Sequence, residues 1–267
     1  MKKFELTAEF VTNVFGKKLF RIKALVAFGD VEKGELGGFI EKEDNLSHDG
    51  NAWVSGNAWV YGDARVYGDA RVYGDARVYG DAHVSGNAWV YGNAHVSGNA
   101  HVSDNAWVSG NAWVYGDARV YGDAHVSGNA HVSGNAWVYG DAHVSDNAWV
   151  SGNAWVSGNA WVYGNAHVSG NAHVSDNAWV SGNAHVSGDA RVSGDADYAV
   201  VIGFGRCFRT TTFFRCKDKI LRVQCGCFYG DLAQFREIVK KTHGDSKYAK
   251  EYLAIADLME LHFSDEC

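Results

Sequence analysis

The sequence predicts a mainly β protein built as a solenoid, and three observations carry the prediction. From Gly50 to Ser193 the chain runs as 24 consecutive hexapeptides, [G/D]-[N/D]-A-x-V-[S/Y], with no insertion or deletion. Within each hexapeptide Ala and Val stand two apart, so an extended backbone turns both to one side and x to the other. Gly or Asp followed by Asn or Asp supplies a corner, because these residues tolerate left-handed backbone angles. Each hexapeptide is thus a short strand, favoured by the β-branched Val, plus a turn. One hexapeptide cannot bury its Ala/Val face alone, whereas stacked coils bury a continuous thin core.

Composition narrows the function classes. The 267 residues include 32 Gly, 12 His, 10 Trp and no Pro, with a formal net charge of −7. That balance argues against a long nucleic acid as partner, since phosphate-backbone binding needs an excess of Lys and Arg. No run of about 18 apolar residues exists, so no transmembrane helix and no membrane partner is expected. The opening MKKFELTAEF lacks the apolar stretch of a signal peptide, and a cytoplasmic protein is expected. The five cysteines, Cys207, Cys216, Cys225, Cys227 and Cys267, all lie near the C-terminus, and their odd number suits reduced thiols.

The pattern resembles the hexapeptide-repeat family, whose fold is a left-handed parallel β-helix with three hexapeptides to a triangular turn of 18 residues. The resemblance implies that Val54, Val60 and Val66 are the large inward residues of the first turn, and Ala52, Ala58 and Ala64 the small ones. It also implies about eight turns, a prism of roughly 38 Å at a strand spacing of ~4.8 Å. The left hand comes from the family, because parallel crossovers are otherwise right-handed. Open coil ends need caps.

The ends supply candidates. Residues 1–49 read as an N-terminal β cap of two or three strands, with a turn at Gly16. Ile40 and Leu46 fall twelve and six residues before Ala52 and so start the coil. Residues 50–197 form the β-helix. Residues 198–267 read as an α+β module, a hairpin turning at Lys217–Lys219 and two helices. The first helix takes Asp231 as N-cap and Gly244 as stop. In the second, Tyr248, Tyr252, Leu253, Ala256, Leu258, Met259 and Leu261 make the apolar face. The stretch GCFYGDLAQFREIVKKTHGDSKYAKEYL and the opening that ends in LGGFIEKEDNLS resemble a group of phage- and prophage-encoded hexapeptide-repeat proteins. That resemblance implies a phage accessory role, with a host protein as partner.

The x position is where the repeat varies: 10 Trp, 9 His and 5 Arg, which includes every tryptophan of the chain. An 18-residue turn sorts them into three columns. The first holds Trp53, Arg71, Trp89, Trp107, His125, His143, Trp161 and Trp179, and it is the candidate binding face because it carries the most tryptophan. The third, Arg65 to Arg191, is the most polar and is expected to face water. Every x Arg follows Asp-Ala, which suggests pairing within the repeat. Eight of nine repeat tyrosines precede Tyr163, so the N-terminal half of the prism is the expected contact region.

Several functions fit this surface. The preferred one is a non-enzymatic binding or scaffold protein, a homo-oligomer (dimer or trimer) that binds or sequesters a host factor through this face or the terminal modules. Flat side chains also suit a small nucleotide or a glycan. The ladders could equally serve only to stabilise stacked coils. Acyl transfer, which the hexapeptide family also performs, is disfavoured: no loop leaves the coil, and no repeat histidine is marked by a neighbouring acid. No cofactor and no catalytic residue is expected. For metal, the stacked pairs His125/His143 and His167/His185 offer two ligands each, and Cys207 and Cys216 with Cys225 and Cys227 are weak candidates for a four-thiolate site.

Overall fold

The computed structural model describes residues 1–264; Asp265, Glu266 and Cys267 lie outside the described residues, the last of the five cysteines among them. Every hexapeptide from Ala52 to Val192 forms a two-residue strand, x-Val, and the 24 rungs stack into three parallel sheets. Register is the same throughout: Trp89 pairs with Trp107, His95 with Trp113 and His101 with Arg119, each eighteen residues on. Backbone N–H groups donate to the next coil at a near-constant length, as in Trp89 N to Ala106 O at 2.9 Å and Tyr91 N to Val108 O at 3.0 Å. Each repeat Ala and Val, including Val54, Val60 and Val66, is fully buried or within 1 % of it. Alternation therefore sets which side chain is inside, and the 18-residue turn sets which stand above one another.

The corners obey the same economy. Gly140, at φ +71°, would place an added Cβ 3.0 Å from the backbone nitrogen of Gly158 in the next coil. Asp104, Asp146 and Asp176 take the corner position three times, at φ +58°, +57° and +54°. Two of these carboxylates are used by the neighbouring coil, which donates Gly122 N to Asp104 and Gly164 N to Asp146.

A second ladder runs one residue on. Asn side-chain amides donate up the prism to the Asn or Asp of the next coil, as in Asn93 to Asn111 at 3.2 Å, Asn111 to Asn129 at 3.0 Å and Asn99 to Asp117 at 2.8 Å. Asp only accepts, so it ends such a run.

Both ends of the coil are closed. At the start, an antiparallel hairpin (Phe4–Thr12 and Lys18–Ala24) turns over Asn13 and Gly16 and pairs with the strand Leu36–Ile40. That strand lies parallel to the Trp59 rung, so one face has nine levels and the others eight. Ile40 and Leu46 are buried and do start the coil, but they pair with Val60 and Val66 and so take Val positions, not the Ala positions that counting back from Ala52 gives. Lys3 is buried beneath the first coil and donates to the carbonyls of Gly50 and Ala52, at 3.2 and 2.9 Å, which have no coil below to serve them. Burial, and then the Arg71 charge, push its ammonium down to about 8.

The far end is covered by a four-stranded antiparallel sheet, Tyr198–Phe204, Arg209–Arg215, Leu221–Cys225 and Phe228–Asp231. The sequence reading expected only the middle hairpin, because the flanking strands have no clean alternation. Phe214 and Cys216 join the core of the coil, and Thr212 Oγ1 accepts from His185 N at 3.0 Å. Helices α1 (Leu232–His243) and α2 (Lys247–His262) cover the other side of this sheet. Asp231 caps α1 by accepting from Gln234 N at 2.8 Å, and Gly244 ends it. The buried stripe of α2 is Ala249, Tyr252, Ile255, Ala256 and Met259; Tyr248, Leu258 and Leu261, assigned to that stripe from sequence, are exposed because only one narrow side of the helix meets α1 and the sheet. Among the described residues no helix is long and apolar enough to cross a membrane.

Candidate interaction surface

The three columns form as register dictates, and their rings stack. On the first face Trp89, Trp107, His125, His143, Trp161 and Trp179 follow one another with centroids 5.5, 5.2, 4.7, 4.2 and 5.7 Å apart. Most of these pairs lie within 30° of parallel, the offset-stacked arrangement that aromatic quadrupoles favour. All four of these tryptophans keep 37–50 % of their surface open, with Trp179 the most exposed. The face therefore remains an apolar stripe after the stacking within the chain is satisfied.

Two residues assigned to this face are used otherwise. Trp53 is 2 % exposed, covered edge-on by Phe28 of the cap at 5.4 Å, and its indole N–H finds no partner among the described residues. Arg71, the next rung, is ion-paired with Asp30 of the same cap loop. The cap thus occupies the first two rungs, and the accessible face starts at Trp89. This moves the open surface toward the C-terminal part of the prism, away from the tyrosine-rich part that sequence favoured. The signal was present in Phe28 and Asp30, but sequence gives no register for a loop.

The tyrosines are also engaged. Tyr61 and Tyr79, Tyr73 and Tyr91, and Tyr121 and Tyr139 stack in parallel at 5.0–5.1 Å. Several tyrosines, some of these among them, lie edge-on to the x ring of the next coil, as Tyr73 does to Trp89 at 5.9 Å and Tyr163 to Trp179 at 6.3 Å. A tyrosine at the corner braces the ring sixteen residues on, a contact that the sequence reading did not identify.

Arginine departs from the expected pairing within its own repeat. Arg77 lies over the Trp59 ring at 4.7 Å and Arg119 over Trp137 at 5.0 Å, while Arg191 donates to the carbonyls of Asn171 and Ala190. The parallel stack of flat side chains outcompetes an exposed ion pair, which contributes only about 0–1 kcal/mol. The aspartates instead accept from the asparagine ladder.

Histidines complete the stacks. His83 and His101 lie 4.9 Å apart, and His167 and His185 4.8 Å. Burial, with an added push from a neighbouring histidine or arginine in most cases, lowers the pKa of His95, His101, His143, His167 and His173; burial alone lowers His131 and His185.

Six windows of the chain, residues 58–74, 64–80, 70–86, 76–92, 112–128 and 148–164, match the family model described as YdcK beta solenoid repeat. The chain is a β-solenoid repeat protein. No curated protein matches it. The matched windows fall wholly inside the solenoid, so the similarity speaks to the coil.

The cysteine set does not assemble at one point. Cys216 is buried against the solenoid core, whereas Cys207, Cys225 and Cys227 line a cleft on the helical side. Cys225 ends its strand and Cys227 stands in the turn at Gly226 (φ +59°), so the two do not lie on one strand. Among the described residues no group of three or more His, Cys, Asp or Glu is placed to hold a metal ion.

Proposed function

We propose that the protein is a non-enzymatic binding scaffold whose first face docks on the same face of a second copy, with the two prisms antiparallel. One observation carries the reading. The open part of the face reads Trp-Trp-His-His-Trp-Trp, the same from either end, and the residues two before each rung read Asn-Asn-Asp-Asp-Asn-Asn over the same six coils. A two-fold interface demands a surface complementary to itself. With the axis between the coils of His125 and His143, Trp89 meets Trp179 of the second copy, Trp107 meets Trp161, and His125 meets His143. Neither other column has this symmetry over its accessible rungs. The cap removes Trp53 and Arg71, the two residues that would break it.

In this reading the repeat histidines serve the surface, since among the described residues they make ring contacts along the columns. On the resemblance of the two ends to phage-encoded proteins, the end modules of such a dimer are the parts left to engage a host protein.

Sedimentation equilibrium tests the reading. The wild type is expected to be a dimer. The variant Trp89→Ser/Trp107→Ser/Trp161→Ser is expected to be a monomer, with a dissociation constant raised about 100-fold or more, because buried tryptophans dominate such interfaces. Its far-UV circular dichroism should be unchanged, since the Ala/Val core is untouched. A dimer that survives these substitutions contradicts the proposal, as does a monomeric wild type.

A further inference from the structure

The C-terminal module contains a cleft that the solenoid face does not involve. It measures about 350 Å³, within the range of small-molecule sites. Its floor is apolar: Phe228 and Phe235 lie 5.5 Å apart, beside Val239 and the half-open Ile238 of α1. Arg206 and Arg209 stand at its rim, both exposed. No carboxylate lines the cleft, and among the described residues neither arginine is ion-paired. The module engages its other arginines: Arg215 donates to the Phe263 carbonyl, Arg222 holds Asp218, and Arg236 holds Asp257 and Glu260. Two guanidinium groups left open over an apolar pocket are therefore an exception within the same module.

The remaining polar groups of the wall are neutral or already engaged. Tyr252 is buried beneath Gly205, and burial, then Cys225, pushes its phenol up to about 12, so it contributes no negative charge near neutral pH. The Cys225 thiol accepts from Thr211 Oγ1 at 3.2 Å. Lys240 and Lys241 in the last turn of α1 offset the partial negative charge of that helix end. Arg209 lies against the turn at Gly226, where an added Cβ would run into its Nη1. The Gly226 turn thus leaves room for the guanidinium at the mouth of the cleft.

We propose that this cleft binds a small organic anion, an aromatic or aliphatic body seated on Phe228 and Phe235 with its carboxylate or phosphate held by Arg206 and Arg209. Guanidinium forks match both oxyanions, and apolar walls strengthen the charge pairing by excluding water. Size sets the limit: the volume admits a single-ring ligand and excludes a nucleic acid strand.

The test is calorimetric titration of the full chain with 4-phenylbutyrate and with phenyl phosphate, against 4-phenylbutan-1-ol as the uncharged control. At least one anion is expected to bind saturably at one site per chain, at least tenfold more tightly than the alcohol. Which of the two binds more tightly identifies the oxyanion. Arg206→Gln/Arg209→Gln is expected to weaken that anion at least tenfold; both side chains are exposed, and circular dichroism checks that the module is intact. The bound anion should also slow alkylation of Cys207 and Cys227 by iodoacetamide, read by peptide mass spectrometry. No saturable binding by either anion overturns the proposal. So does equal binding of the alcohol, a comparison that needs no variant.

Discussion

Replacing Val132 with Asp is expected to cost more than about 4 kcal/mol and to lower the melting temperature by roughly 10 °C or more. Val132 is fully buried in the middle of the prism, between Val114 and Val150 of the coils on either side. A carboxylate there has no donor within a core made only of Ala and Val, and each coil contacts only its neighbours, so the damage cannot be shared along the whole rod. His131→Asp, one residue away, is expected to be far milder, because His131 stands outward between Trp113 and Trp149. Thermal unfolding followed by circular dichroism measures both. Equal losses at the two positions would contradict the inward–outward alternation on which the whole fold rests.

Acid is expected to destabilise the protein from pH 6.5 downward. Seven repeat histidines have folded-state pKa values below the usual 6.5, through burial first. Below pH 6.5 the unfolded chain takes up protons that the stacked rings refuse, so the unfolded state binds more of them. Stability is then complete above 6.5 and is lost as pH falls through the folded-state values. The lowered carboxylates Glu41, Glu43, Asp63 and Asp218 act in the same direction, but only below about 4.5, so a decline between 6.5 and 5 belongs to histidine. Melting temperature measured at intervals from pH 7.5 to 5 should fall, and His167→Gln/His185→Gln should flatten the curve. A flat wild-type profile would mean that the ring stacks carry no linked protons. In the proposed dimer His143, one of the seven, sits beside the symmetry axis, so acid should weaken association over the same range.

Much of this was legible before any coordinates. A six-residue period with fixed Ala and Val gave the inside and the outside, the resemblance to the hexapeptide-repeat family implied three to a turn, and the columns read at that spacing of 18 are the columns that form. Caps were legible where local signals are strong, as at Asp231 and Gly244. What sequence concealed was contact between elements of different period. Phe28 and Asp30 reach Trp53 and Arg71 from a loop, and no pattern in the repeat announces them. The asparagine ladder was hidden for another reason: Asn and Asp had already been explained as corner residues, and their side chains have a second use. The cleft depends on the two strands missed in the C-terminal module, so its residues are scattered from Arg206 to Tyr252.

The most direct test of the central claim is site-specific cross-linking across the dimer. With Cys207, Cys225, Cys227 and Cys267 replaced by Ser as background and only the buried Cys216 kept, one protein carries Ser109→Cys and a second Tyr163→Cys, and the two are mixed and treated with a short bis-maleimide. Ser109 follows the Trp107 rung and Tyr163 the Trp161 rung, so antiparallel docking places one beside the other. The account predicts cross-linked dimers in the mixture and few in either protein alone. Cross-links formed only within each protein alone, or none at all, would contradict it.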